Sequence, residues 1–135
     1  MANTEGILFD VDFTDHAFPC IQYALRRIGL HEIKAFYPLP DNFIKNAFNK
    51  DDLRIGDIVV WERSSSTVDF TLTMCNNIPI TSELTFGVHA AVYEGNGFIS
   101  DISFSGESVF PYIRIRLLKD ISKPMWIYRY TLLKK

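Results

Sequence analysis

Cysteine is scarce in this chain: there are two in 135 residues. Two cannot build a disulfide framework, and Cys20 and Cys75 do not stand at a metal-ligand spacing. Neither a metal nor a cofactor is therefore expected. Charge of one sign is also missing. The formal net charge is -2, and the basic residues form no patch beyond the two terminal lysines, so a nucleic-acid partner is not expected. No apolar run approaches the roughly 18 residues of a membrane-spanning helix. The opening "MANTEGILFDVDF" has no basic n-region, and acidic residues interrupt its apolar stretch, so a secretory signal is not expected. Internal repeats and low-complexity tracts are absent too, apart from the short polar break "SSS" at 64–66.

What is present is a composition rich enough for a core, 47% hydrophobic with 22% charged residues. At this length it predicts one domain over 1–135. Pro19 suits the first position of a helix, where its missing N–H costs nothing. Ile21, Ala24, Leu25 and Ile28 then recur at helical spacing, and Gly29 stands where a helix-terminating glycine belongs. The spacing predicts a helix over 19–28. "DNFIKNAF", 41–48, reads as a second short helix capped by Asp41. Beyond it, β-branched and aromatic residues dominate, and strands are expected at 57–63, 68–75, 88–94, 98–104, 112–118 and 126–133. Residues 75–87 read as a loop overhanging one end of the sheet. Helices followed by a run of strands predict an α+β fold with an antiparallel sheet.

Cys20 sits at the start of the first helix. There the helix dipole and unpaired N–H groups favour an anion, so a thiolate is stabilised and an oxyanion could be met by a backbone amide. Taken alone this is weak, since free cysteine is commonly core filler. Cys20 does lie about 100° from the centre of the apolar stripe. His89 and Asp101 flank the turn "EGNGF". A three-residue loop at 95–97 sets Tyr93 opposite Ile99 and Ala91 opposite Asp101. His89, Ala91, Tyr93, Ile99 and Asp101 then share one face, and a nearly all-apolar set takes the other. A two-residue loop would put His89 and Asp101 on opposite faces. In the preferred register Asp101 lies diagonal to His89, roughly 7 Å away between Cβ atoms, and can fix the imidazole tautomer as the third member of a Cys–His pair. His31 reads as a surface residue, Cys75 as core or loop, and Asp57 as the closure of a turn. Trp61, Trp126 and the tyrosines 112, 128 and 130 read as sheet packing.

"LRIGDIVVW" at 53–61 and "VHAAVYEGNGFISD" at 88–101 resemble two motifs of the NlpC-type papain-like cysteine peptidases, relatives of the CHAP amidases. The resemblance spans about residues 18–104. It implies a papain-like fold, with an N-terminal helix that bears the cysteine packed on an antiparallel sheet. It also implies the roles of nucleophile for Cys20, base for His89 and orienting residue for Asp101. The chain departs from the family where "FPCIQ" replaces the usual residues around the nucleophile, and where Ala91 follows the histidine in place of glycine. The polar residue that often precedes the cysteine has no clear counterpart among Asp12, Asp15 and His16. The resemblance implies amide hydrolysis in the peptide stems of bacterial peptidoglycan. A small leaderless domain of this kind resembles amidase effectors of type VI secretion. Such an effector is made in the cytoplasm, is exported to act in the periplasm of a target cell, and is held by a cognate immunity protein. A phage lysin amidase, a protein glutamine deamidase toxin and a non-enzymatic binding module on the same scaffold are the alternatives.

Overall fold

A computed structural model describes residues 6–10, 18–64, 86–103 and 111–131. The expected strand 68–75, Cys75, most of the expected loop 75–87, and Asp12, Asp15 and His16 lie outside the described residues. Six strands form one antiparallel sheet: β1 (Phe43–Ala47), β2 (Ile58–Ser64), β3 (Phe86–Gly95), β4 (Phe98–Ser103), β5 (Tyr112–Leu117) and β6 (Trp126–Tyr130), in the order β1-β6-β2-β3-β4-β5. Residues 6–9 run beside the outer edge of β5, bridging Leu8 to Tyr112.

The single helix among the described residues, α1 (Pro19–Arg27), falls within the expected 19–28. Pro19 occupies its first turn. Its end is a Schellman closure: Leu30 N–H donates to the Leu25 carbonyl at 2.8 Å and Gly29 N–H to that of Arg26 at 3.1 Å. Gly29 takes φ 85, the left-handed region that this closure needs.

The expected α+β papain-like fold is not what is found. One nine-residue helix and two 3-10 turns, Lys50–Asp52 and Leu118–Asp120, accompany a six-stranded sheet, so the architecture is sheet-dominated. The expected helix at 41–48 accounts for much of the difference. Those residues form β1, paired from Phe43↔Tyr130 to Ala47↔Trp126. Phe43 packs its ring 5.2 Å from that of Tyr130, and the Asn42 carbonyl accepts from both the N–H and the hydroxyl of Thr131. A partner strand distant in sequence overrides a weak local helical preference.

The sheet buries both faces. Ile58, Val60, Val88, Ala90, Val92, Ile102 and Tyr128 pack against Cys20, Ile21, Ala24 and Leu25 of α1. On the other face Val59, Ala91, Ile99 and Ile127 form a smaller cluster, flanked by Phe48, Leu53, Trp61, Tyr93, Leu118 and Ile121. Strand alternation thus assigns the even residues of β3 to the helix side and the odd ones to the far side.

Candidate active site

The hairpin that carries the site turns more tightly than expected. Asn96 (φ 54) and Gly97 (φ 84) form a two-residue turn closed by Gly95↔Phe98, not a three-residue loop over 95–97. A bulge between Tyr93 and Gly95 then absorbs one residue, and pairing resumes at Tyr93↔Ile99 and Val92↔Ser100. The register expected at Tyr93↔Ile99 is therefore reached by another route. The bulge compensates for the short turn, so His89 and Asp101 keep the same parity along their strands. Glu94, the bulged residue, is tied down by Arg27 at 2.7 and 2.8 Å and by the Ser100 hydroxyl at 2.5 Å, and Tyr23 donates to that hydroxyl at 2.6 Å.

His89 Nε2 donates to Asp101 Oδ2 at 2.6 Å. Cys20 neighbours the same imidazole closely enough to raise its pKa, and with Nε2 engaged by Asp101, Nδ1 is the ring atom left for the sulfur. The thiol also reaches the Val88 carbonyl at 3.7 Å. The three expected site residues are thus brought together. Simple alternation would separate them, because Cys20 belongs to the helix-side cluster while His89 stands against Trp61 on the far side, with ring centroids 5.4 Å apart. They meet where β3 and β4 part: their ladder runs only from Gly95↔Phe98 to Val92↔Ser100, short of both His89 and Asp101. Beyond that point β4 continues on β5, with Asp101 opposite Arg114.

Two arginines missed at the level of sequence complete the cluster. Arg114 Nε and Nη2 donate to the two carboxylate oxygens of Asp101 at 3.0 Å each, and Arg116 Nη2 to Oδ2 at 2.8 Å. The signal was readable in "YIRIRLL": arginines two apart share one face, and the neighbouring strand puts an acid on that face. Trp61, assigned to packing, also walls the imidazole.

These contacts set the charges. Burial disfavours a carboxylate at Asp101, which has no exposed surface, but His89 and Arg114 outweigh it and hold its pKa well below the usual range. At His89 burial again opposes charge. The hydrogen bond to Asp101 and the neighbouring Cys20 sulfur overcome it and push the pKa up to about 9, so the ring is an imidazolium at neutral pH. An imidazolium beside the sulfur stabilises it as a thiolate, by its charge and by an N–H it can donate.

Cys20 has no exposed surface and His89 is 5% exposed. Among the described residues, no group of three or more His, Cys, Asp or Glu side chains is arranged to hold a metal ion, and no helix is long and apolar enough to cross a membrane. His31 is exposed. Asp57 closes its turn by accepting from the Arg54 N–H at 2.9 Å, and it pairs with Arg129 at 2.6 Å. No protein-family model matches the chain, nor does any curated protein or solved structure.

Proposed function

We propose that this chain is a cysteine-dependent amide hydrolase. The observation that carries the reading is the juxtaposition of Cys20, His89 and Asp101, with the aspartate hydrogen-bonded to the imidazole and kept ionised. In this reading the Cys20 sulfur attacks the amide carbon, and the helix start beside it favours the oxyanion that forms. Collapse breaks the C–N bond, and His89 gives its proton to the leaving amine. Water, deprotonated by His89, then hydrolyses the thioester. Asp101 orients the ring, and Arg114 and Arg116 keep Asp101 charged.

The substrate class rests on the resemblance of residues 53–61 and 88–101 to the NlpC-type peptidases: the peptide stems of bacterial peptidoglycan, reached by an exported antibacterial effector with its own immunity protein. The test is mass analysis of fragments released from purified peptidoglycan by the wild type and by Cys20→Ala, His89→Ala and Asp101→Ala. Release should vanish for the first, fall nearly as far for the second and fall less for the third. Undiminished release by Cys20→Ala would remove the nucleophile assignment. Ammonia released from protein glutamine, with no muropeptide product, would move the chemistry to deamidation.

One observation favours a second reading. A cysteine with no exposed surface also suits a non-enzymatic module in which the three residues are buried polar packing. Hydrolysis requires Cys20 to become accessible to substrate, and thiol accessibility separates the two readings.

A further inference from the structure

The face of the sheet away from α1 carries a cleft of about 770 Å³ that the candidate active site does not use. Its size is that of a small-molecule site. Its floor is apolar, built from Phe48, Leu53, Tyr93, Leu117, Leu118 and Ile121, and all but Leu117 are partly buried hydrophobics packed against the smaller core cluster. The rim is basic. Lys50, Lys119 and Lys123 stand around it against the single carboxylate of Asp51. All three lysines are exposed, and none makes an ion pair among the described residues.

A hydrogen-bond donor is also available. The Tyr93 hydroxyl accepts from the Gly97 N–H at 3.0 Å, and no described bond uses its own proton. An apolar floor, an excess of positive charge at the mouth and a spare O–H donor are complementary to one kind of molecule. We propose that this cleft binds a small amphipathic anion, a free carboxylate carrying a medium-length apolar chain. The chain would lie on Leu118, Ile121 and Tyr93, with its carboxylate among the lysines. The proposal is independent of the hydrolase reading, since no residue of the Cys20–His89–Asp101 chain lines the cleft.

The probe is decanoate below its micelle concentration, followed by amide chemical shifts in the full chain at low salt. Decanol and decylamine serve as neutral and cationic counterparts. Saturable shifts clustered at residues 93, 96–97 and 117–123 are expected with decanoate, and binding should weaken at least about tenfold with decylamine and with rising salt. Lys119→Glu/Lys123→Glu, both exposed, should weaken decanoate about tenfold while leaving the fold unchanged. Cys20→Ala should bind decanoate like the wild type. Equal binding of decanoate and decylamine, or no saturable shifts at these residues, would overturn the proposal. So would binding to anionic phosphatidylglycerol vesicles without binding to free decanoate, which would make this face a membrane contact.

Discussion

Asp101 is the residue on which the candidate site depends. It is buried without exposed surface, and three cationic groups converge on its two oxygens. A buried charge is tolerated only while its partners remain, and removing one partner leaves the rest to compensate. Arg114 supplies two of the hydrogen bonds, so Arg114→Gln should lower the unfolding free energy by about 2 kcal/mol, less than loss of a sole partner because His89 and Arg116 remain. Urea midpoints at pH 7 would measure it. Asp101→Asn tests the same cluster from the other side. It removes the negative charge that favours the imidazolium, so the His89 pKa should fall from about 9, as read by titration of the ring proton resonances. An unchanged His89 pKa would show that another group sets it. The acid was legible in sequence because its place after "GNG" could be tested by register. The arginines were not, because nothing in the chain order joins 101 to 114 and 116 until β4 and β5 are known to pair.

At the scale of elements, the hairpin β3–β4 decides whether His89 and Asp101 meet. Gly95 takes φ 100 between the bulge and the turn, and a Cβ there would stand 3.1 and 3.2 Å from Ile55 side-chain atoms. Gly95→Ala should therefore destabilise the chain by about 1–2 kcal/mol, from the positive φ and the forced shift of Ile55 together. The reverse outcome, a stability gain in thermal melts, would mean that the bulge is not held as described. The turn residues and the sorting of apolar side chains made the register readable in the sequence. The bulge was not readable, since a three-residue loop and a two-residue turn with a bulge insert the same number of residues. Helix α1 was legible from Pro19, its apolar spacing and Gly29. Strand β1 was not: Phe43, Lys45 and Ala47 alternate too briefly to identify a strand, and what fixes them is β6, a distant partner.

At the scale of the whole molecule, the site links stability to pH. The folded state raises the His89 pKa from 6.5 to about 9. The folded chain therefore holds this proton more tightly than the unfolded one, and the stabilisation is complete below pH 6.5 and lost as pH rises through about 9. Asp101 has the opposite sign. Its lowered pKa stabilises the fold above the ordinary carboxylate value of 3.8, and that contribution is lost as pH falls. Stability should be greatest between these limits, and the gap in urea midpoint between wild type and His89→Gln should narrow from pH 6.5 to pH 9. A gap that widens over this range would reverse the assignment of charge. The sheet-dominated architecture itself was only half legible. Its strands were marked by β-branched and aromatic runs, while the proportion of helix was overestimated because β1 imitates one.

The central claim is that Cys20 is a nucleophile activated by His89 and not a core cysteine, and its alkylation in the native chain tests this most directly. The experiment uses the Cys75→Ser background, so that only Cys20 can react, and follows iodoacetamide addition by intact mass between pH 6 and pH 9. The account predicts labelling of the folded protein at pH 7, faster than in unfolded chain at the same pH, and at least about tenfold slower once His89→Ala removes the imidazolium that favours the thiolate. If Cys20 stays unlabelled until denaturant unfolds the chain, and His89→Ala makes no difference, then the thiol is packing and the hydrolase reading fails.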